Sequence, residues 1–444
     1  MSGLRLSAAA LLVAPLIAAA APAPAVDGGS TPIAPSPAEA PPAAVTFADP
    51  CGYLSATRVV ACFSDPTASD AESSRIFQSL GALVEAAGPG DSIRFVIYHW
   101  MVGGYADQLR QAVIDAHAEG VDVKVILDEA SRAETIDAFR TAGVPLVVCD
   151  DHDQPTDVSN RQENCLMWDY EGYYGPDSEL PMTHTKMALF DIDGAKYVVA
   201  GSSNLGPWDY ETAWNDMVRI RDTALHAYLD DWFDRIWADD WSGWDTDTER
   251  EGYGDPIPAG APPSDLQEKV YLYPRVSNDP IAAQLSRVRA CHSDGDGDGD
   301  WDKRVYIAIS KWNDNQRLGI RDQLVRLKNA GCRVQVMVSD DVSTGWVSSL
   351  RSTLSGSSTS TENVRWVCKL HHKMVIIDAQ YAGTQWREVV ITGSNVWAKG
   401  SQLYSNELNL RFGGEDELTD DGAVRDYILH YERLWETQTV TSCA

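Results

Sequence analysis

Hydrophobic residues in this chain form short apolar runs typical of buried strands, separated by segments whose apolar residues recur at helical spacing. The first series of runs predicts strands at 94–98, 121–127, 144–148, 185–190 and 197–200. The intervening segments predict helices at 106–119, from 134 onwards, and at 225–237. Because Asp193-Gly194 is a two-residue turn sequence, the last two strands should form a hairpin.

A second series repeats this order later in the chain. It predicts strands at 305–309, 332–338, 364–368, 374–377 and 388–391, and helices at 321–328 and 424–435. Strands that alternate with helices indicate an α/β architecture. We therefore expect two similar α/β/α halves with mixed, mostly parallel sheets, at residues 49–240 and 267–444, joined by a bridge at 241–266.

The N-terminus has the composition of an export signal. Arg5 precedes an apolar stretch of small residues at 8–21, and Ala23-Pro24-Ala25 offers a cleavage sequence. We predict a signal peptide at 1–25, with Ala21 as the rival cleavage position, and a disordered Pro/Ala-rich linker at 26–48. No other stretch is long and apolar enough to span a bilayer, so the mature protein should be secreted.

The chain contains eight cysteines, all beyond the predicted signal peptide. An even number in an exported chain favours disulfides, and the absence of a Cys-x-x-Cys pair counts against a zinc site. Short-loop closure favours Cys51–Cys62 and Cys149–Cys165, and the remaining connectivity stays open.

The net charge is −29, from 65 acidic and 36 basic residues. Nucleic-acid binders need a cationic surface to displace the counterions of the phosphates. A polyanion would be repelled at long range here, so a nucleic-acid partner is not expected. Solubility of an exported protein explains the acidity equally well.

One short pattern, His-x-Lys-x-x-x-x-Asp, occurs twice, once in each predicted half. The residues are His184, Lys186 and Asp191 in the first copy, and His371, Lys373 and Asp378 in the second. A single copy would be weak evidence, because three polar residues at fixed spacing arise by chance. Two copies at equivalent places indicate one active site built from both halves.

The residue types in this pattern suit displacement at phosphorus. One imidazole can attack the phosphorus atom, and a second can protonate the leaving oxygen and then activate water. The lysines can neutralise the non-bridging oxygens. On a strand, the histidine and lysine of each copy face the same side, whereas Asp191 and Asp378 do not, so we interpret the aspartates as anchors.

At residues 75–437 the chain resembles the phospholipase D superfamily, whose signature is HxKxxxxD followed by GSxN. The resemblance implies two halves related by a pseudo-twofold axis, with the active site at their junction. It also implies a phosphohistidine intermediate and no essential cofactor or metal. By this resemblance His184 is the nucleophile and His371 the acid/base, although the two copies are nearly equivalent.

The Gly-Ser turns after the two motifs differ. The first, Gly201-Ser202-Ser203-Asn204, matches the signature, whereas the second reads Gly393-Ser394-Asn395-Val396. Asn215 follows Asn204 by 11 residues and Asn406 follows Asn395 by 11, which favours Asn395 as the equivalent of Asn204 on a shortened turn. We predict phosphate binding by four residues: Ser202, Asn204, Ser394 and Asn395.

The residues after the two marker asparagines, Asp216 and Glu407, form a matched acidic pair. The family places an acid near this position, and a carboxylate there could hold each imidazole in the required tautomer. We therefore predict that Asp216 and Glu407 orient the two histidines. The alternative is that they are surface acids.

Two weaker signals concern metal and membrane. Asp294, Asp296, Asp298, Asp300 and Asp302 resemble a calcium loop, but Val305 occupies the position of the bidentate glutamate. This favours a solvated acidic turn, with structural calcium as the alternative. Trp208, Trp241 and Trp244 are candidates for contact with a lipid interface, although most tryptophans at such spacing are core residues.

These observations predict a secreted, monomeric phospholipase D acting at a membrane surface. It would hydrolyse the distal phosphodiester of glycerophospholipids to phosphatidic acid and free head group, and would transfer the phosphatidyl group to alcohols. The alternatives are a nuclease or other phosphodiesterase of the same superfamily, and a lipid-binding protein whose active site has decayed. Both histidines and both lysines are intact, which disfavours decay.

Overall fold

The structure is a computed structural model that describes residues 46–149, 165, 182–238, 240, 268–275, 279–291, 304–384, 386–403, 405–413, 422–440 and 442–443. All of these belong to one compact unit, Val45–Ala444. The predicted signal peptide, most of the linker, the bridge at 241–266 and the acidic loop at 294–302 lie outside them. The domain boundaries given above therefore stay predictions.

The first sheet contains seven strands, in the order β1-β7-β6-β5-β2-β3-β4. Their bounds are β1 Val59–Phe63, β2 Ser92–Ile97, β3 Asp122–Asp128, β4 Leu146–Cys149, β5 Lys186–Ile192, β6 Ala195–Gly201 and β7 Asp216–Arg221. The pairs β2–β3 and β3–β4 are parallel, and the other four pairs are antiparallel.

The second sheet has the order β12-β11-β10-β13-β14-β15-β8, with β9 paired to β13. Its strands are β8 Lys269–Tyr273, β9 Val288–Ala290, β10 Arg304–Ile309, β11 Arg333–Val338, β12 Val364–Trp366, β13 Lys373–Tyr381, β14 Trp386–Gly393 and β15 Glu407–Gly413. Strands β10–β15 repeat the order and direction of β2–β7. The two similar α/β halves are thereby confirmed.

The sheets are mixed, as predicted, but the prediction of mostly parallel pairing is wrong. Parallel neighbours occur only where a helix carries the chain back to the start of the next strand. Each motif strand instead turns directly into the following strand, at Asp193-Gly194 in the first half. The hairpin gives one antiparallel pair, and β5 also runs antiparallel to β2, as β7 does to β6 and β1, so antiparallel pairs outnumber parallel ones.

Helices cover the sheets in both halves. The first half contains α1 Asp70–Ser73, α2 Arg75–Ala86, α3 Gly104–Ala118, α4 Ala133–Ala142, α5 Pro207–Glu211 and α6 Thr223–Ala238. The second contains α7 Pro280–Ser286, α8 Leu318–Asn329, α9 Thr344–Ser355, α10 Lys399–Leu403 and α11 Ala423–Thr437. None of these helices is long and apolar enough to cross a bilayer.

Both faces of each sheet are buried, and the motif strands show how. In β5, Met187 and Leu189 face a core that both halves share, whereas Ala188 and Phe190 face the core beneath α2 and α3. The same alternation in β13 sends Met374 to the shared core, as the period of two requires. The shared core therefore joins the halves directly behind the motif strands.

All eight cysteines are paired. The predicted bridges Cys51–Cys62 and Cys149–Cys165 are confirmed. The other two, Cys291–Cys332 and Cys368–Cys443, close longer segments, of 41 and 75 residues. Cross-links of this kind stabilise a fold mainly by restricting the unfolded chain.

Candidate active site

The two motifs lie where each sheet meets the other half. Strands β5 and β13 begin at Lys186 and Lys373, so His184 and His371 stand two residues before them, in the connecting segments. Isolated bridges join Thr183 to Asn406 and Leu370 to Trp214, each linking the residue before a motif histidine to the opposite half. The backbone itself therefore fixes both histidines at the junction.

Each imidazole is contacted by a side chain from the opposite half. His184 Nδ1 lies 3.1 Å from Glu407 Oε1, close enough for an ion pair but without the alignment of a hydrogen bond. His371 Nδ1 hydrogen-bonds Asn215 Oδ1 at 2.7 Å. Because these contacts cross between the halves, neither half could orient its own histidine alone.

The two lysines are buried beside the histidines. Lys186 Nζ donates to the carbonyl oxygen of His184 at 2.7 Å, and Lys373 Nζ donates to that of His371 at 2.8 Å. Burial lowers the pKa of Lys373 to about 8. Burial and then the charge of Lys373 lower the pKa of Lys186. The carboxylates of Glu407 and Asp209 oppose this lowering of the pKa at both lysines, and a bound anion between the two desolvated cations would oppose it further.

The same charges act on the histidines. Burial first, and then the two lysines, lower the pKa of His184 and that of His371 well below the usual range. Each ring is therefore neutral at pH 7, as a nucleophilic nitrogen must be. Burial also raises the pKa of Glu407 to about 7. The pKa of His184 responds to Lys373 and His371, which places residues of both halves in one electrostatic environment.

The residues of the two Gly-Ser turns correspond one to one at a constant offset, which corrects the alignment proposed from the sequence. Gly201 pairs with Met217 and Gly393 pairs with Asn409, both at an offset of 192 residues. A Cβ on either glycine would lie 2.2 Å from a backbone oxygen of the neighbouring strand, which explains why glycine is needed. Val396, not Asn395, therefore occupies the position of Asn204, and the second turn is not shortened.

The four predicted phosphate ligands have other contacts. Ser202 Oγ donates to Asn215 Oδ1 at 2.9 Å, and Ser394 Oγ accepts from Leu408 N at 3.1 Å. Asn204 Nδ2 donates to Asp209 at 3.3 Å. Asn395 Oδ1 accepts from Arg317 at 2.6 Å, whereas its Nδ2 is buried without a protein partner. Phosphate binding by these residues stays a prediction, and Ser202 also contacts Asn215, the partner of His371.

The same offset shows that the two predicted acids, Asp216 and Glu407, do not occupy equivalent positions in the two halves. Asn215 and Glu407 each lie 14 positions after the glycine, so Asn215, and not Asp216, is the equivalent of Glu407. Glu407 lies 3.1 Å from His184, and its predicted role in orienting that ring stays a prediction. Asp216 faces the opposite side of its strand, where its carboxylate contacts His372 Nδ1 at 2.8 Å. The prediction that Asp216 orients a motif histidine is therefore wrong.

Asp216 instead belongs to a buried network that joins the halves. Its second oxygen accepts from Tyr427 at 2.7 Å and from Thr392. His372 Nε2 lies 2.9 Å from His430 Nε2, so one ring carries the proton and the other accepts it. Since Asn215-Asp216 binds His371-His372 residue for residue, this network fixes the position of the motif histidine.

Replacing Asp216 with asparagine should lower the free energy of unfolding by about 3 kcal/mol at pH 7, because it removes a fully buried carboxylate that His372, Thr392 and Tyr427 contact. Although burial opposes ionisation, His372, Thr392 and Tyr427 lower the pKa of Asp216 from 3.8 to about 2. A carboxylate with a lowered pKa stabilises the fold above its unfolded pKa and loses that effect as the pH falls. Denaturant melts of both proteins should therefore differ most near pH 7 and converge between pH 4 and pH 2; a constant difference would contradict the assignment.

The two motif aspartates lie away from the histidines. Asp191, near the end of β5, pairs with Lys196 across the hairpin. Asp378 lies within the longer strand β13, 3.6 Å from Arg304. The anchoring role of the two aspartates stays a prediction, and the extra residues of the second hairpin lengthen its strands.

The site rim contains aromatic residues. Trp208, 44% exposed, lies edge-on to His371 with ring centroids 5.3 Å apart. His99 stacks on Tyr98, and burial lowers the pKa of His99 to about 4. Trp241 and Trp244, like the five aspartates of the proposed calcium loop, lie outside the described residues.

Sequence reasoning overlooked two residues at the site. In the sequence Asn215 is recognisable only by its spacing from Asn204, and no motif marks Asp209. Asp209 is buried in α5, and burial raises its pKa to about 6. An offset of 192 residues relates Asn215 to Glu407 and Asp209 to Ser401, whose hydroxyl donates to Glu407, but only the backbone pairing of the glycines establishes that offset.

Comparison with known proteins identifies one family. The family described as "Cardiolipin synthase, PLD-like domain" matches residues 82–237 and 302–435, more than half of the chain. No curated protein sequence matches.

Several solved structures are similar in fold. Phosphatidylserine synthase of Haemophilus influenzae Rd KW20 has 13% identity and a TM-score of 0.55, with 86% of each chain covered. Polyphosphate kinase of Porphyromonas gingivalis has 15% identity and a TM-score of 0.48 over 86% of this chain, which spans 50% of the kinase. Yeast tyrosyl-DNA phosphodiesterase has 10% identity and a TM-score of 0.44, with 80% of this chain and 89% of the yeast chain covered.

Proposed function

Because this chain belongs to the cardiolipin synthase, PLD-like domain family of the phospholipase D superfamily, whose members act as phosphodiesterases and phosphotransferases, we propose that it is an exported phospholipase D. It hydrolyses the distal phosphodiester of glycerophospholipids to phosphatidic acid and a free head group. In the presence of an alcohol it transfers the phosphatidyl group. The observation that carries this proposal is the exchange of contacts between halves, His184 with Glu407 and His371 with Asn215.

The unequal partners of the two histidines support His184 as the nucleophile. When His184 Nε2 bonds to phosphorus, its ring becomes positively charged, and the Glu407 carboxylate beside Nδ1 stabilises that charge. An amide, the partner of His371, stabilises a cationic ring less. A ring that holds its proton less tightly is the better donor to a leaving alkoxide.

The reaction then has two steps. His184 Nε2 attacks phosphorus as the bond to the head-group oxygen breaks, and that oxygen takes the proton of His371. Water next gives a proton to His371 and attacks phosphorus, and the bond to His184 breaks. The bound phosphodiester anion between Lys186 and Lys373 opposes their effect on the rings, so that His371 can carry its proton before the first step.

Three features favour a lipid over a nucleic acid. The net charge of −29 repels polyanions. The exposed ring of Trp208 lies at the edge of His371, where an apolar residue suits a lipid surface. The family is itself named for the synthesis of a phospholipid.

The predicted signal peptide and the four disulfides support export, because disulfides persist in oxidising compartments. We further propose that the protein acts as a monomer at the membrane surface and requires no cofactor.

A substrate panel tests the proposal. Purified protein should release choline from phosphatidylcholine vesicles, and added ethanol should divert product to phosphatidylethanol. The same preparation should leave supercoiled plasmid intact, and His371→Ala should be inactive in every assay. Plasmid nicking without head-group release would favour the nuclease, and inactivity on every diester would favour the decayed lipid-binding protein.

A further inference from the structure

The two halves give their imidazoles different partners at the same position. Asn215 and Glu407 are equivalent by the count from Gly201 and Gly393, yet one is an amide and the other a carboxylate. His184 therefore faces a group that can carry negative charge, whereas the direct partner of His371 cannot. If both rings become positively charged during turnover, the first half lacks a counter-charge at this position.

The contacts of Asn215 fix the orientation of its amide. Nδ2 donates to the backbone oxygen of Asp209 at 2.9 Å, and Oδ1 accepts from Ser202 Oγ at 2.9 Å. Oδ1 is therefore the atom that faces His371 Nδ1 at 2.7 Å, and the ring nitrogen is the donor. This leaves His371 Nε2 as the atom that exchanges a proton with the substrate.

A buried carboxylate lies just behind this amide. Asp209 is 3% exposed, and its Oδ1 is 3.9 Å from His371 Nδ1. The same oxygen accepts from the backbone N–H of Asn204 at 3.1 Å and from its Nδ2 at 3.3 Å. These contacts hold the carboxylate in place within the site.

The equivalent position in the second half carries no charge. An offset of 192 residues maps Asp209 onto Ser401, whose hydroxyl donates to Glu407. The second half thus pairs a carboxylate at 407 with a hydroxyl at 401, and the first half pairs an amide at 215 with a carboxylate at 209. Each imidazole therefore has one carboxylate nearby. In the first half this carboxylate stands at position 209, six residues before position 215, where the equivalence with Glu407 would place it.

We propose that Asp209 is a positioning residue that supplies the counter-charge for His371, in place of the carboxylate that position 215 lacks. This role rests on the proposed function, in which His371 protonates the leaving oxygen. The Asp209 carboxylate stabilises the protonated ring before transfer while the amide of Asn215 keeps the ring oriented. The greater separation leaves the proton less tightly held than it would be beside a directly bonded carboxylate.

The proposal is tested by the dependence on the leaving group. An alkoxide needs a proton as it departs, whereas p-nitrophenolate does not. With Asp209→Asn, the first-turnover rate should fall about 10²-fold for a phosphatidylcholine substrate and by less than about threefold for a p-nitrophenyl phosphodiester. Glu211→Gln, on the exposed side of the same helix, should change neither rate.

A double variant provides the second arm. Asp209→Ser with Asn215→Glu copies the pair found in the second half, and it should restore the phosphatidylcholine rate to within about tenfold of wild type. Equal losses on both substrates, or a folded double variant still slower by about 100-fold, would overturn the proposal. If Asp209→Asn does not fold, the double variant alone decides. Wild-type protein inactive on both substrates would instead refute the proposed function.

Discussion

Replacing His184 with alanine should lower the turnover of phosphatidylcholine by about 10⁴-fold or more, and His371→Ala should do the same. The loss is large because each ring performs a step that its neighbours cannot. His184 provides the bond to phosphorus, and His371 moves the proton in both steps. Head-group release measures the effect, and His117→Ala, at the end of α3, is the matched control and should retain full activity.

A substrate with an activated leaving group separates the two histidines. With a p-nitrophenyl phosphodiester, His371→Ala should still release one equivalent of p-nitrophenolate and then stall, because formation of the His184 bond needs no acid. His184→Ala should give no burst. A burst from His184→Ala and none from His371→Ala would reverse the assignment, and bursts from both would contradict it altogether.

The second large effect concerns the buried lysines. Lys186→Met and Lys373→Met should each lower turnover by about 10²–10³-fold, because a preorganised donor to the phosphoryl oxygens is lost from a water-poor site. Lys328→Met, which removes a surface ion pair with Glu362, should leave turnover unchanged. Unchanged turnover in either buried variant would remove that lysine from the site.

Although it lowers turnover, replacing Lys373 should increase the stability of the fold. Burial holds the pKa of Lys373 near 8 instead of 10.5, so the charged form destabilises the fold at neutral pH. Lys373→Met should therefore raise the free energy of unfolding at pH 7 by about 2–3 kcal/mol. This gain should shrink as the pH rises from 8 towards 10.5, since the wild-type amine then loses its proton. A loss of stability would show that the lysine has a structural role instead.

Much of the fold follows from the sequence, because both motif strands are apolar runs between turn residues. The strand at 185–190 and the hairpin through Asp193-Gly194 appear almost where predicted, as β5 and β6. The duplicated motif also identifies the two halves. The prediction of mostly parallel pairing is wrong because alternation of strands and helices does not reveal the direction in which β5, β7 and β1 join the sheet.

The error at Asp216 has a different cause. Matching Asn204 with Asn395 by residue identity shifted the second half by one position. A shift of one residue along a strand moves every side chain to the opposite face. Asp216 was therefore assigned to the motif histidine when its carboxylate faces His372, and Asn215 was overlooked. Backbone pairing of the glycines, which a sequence does not contain, resolves this register.

Some of the disulfides follow from the sequence, and others depend on the completed fold. Cys51–Cys62 and Cys149–Cys165 follow from short-loop closure. Cys368–Cys443 spans 75 residues, and nothing local brings its ends together. That pairing depends on the completed second half.

A crystal structure of the protein soaked with vanadate, a mimic of pentacoordinate phosphorus, most directly tests whether both halves act on one phosphate. We expect a single bound ion, with His184 Nε2 and His371 Nε2 on opposite sides of the metal and both lysines on its equatorial oxygens. Two ions in separate pockets, or one that only a single histidine touches, would contradict a shared site.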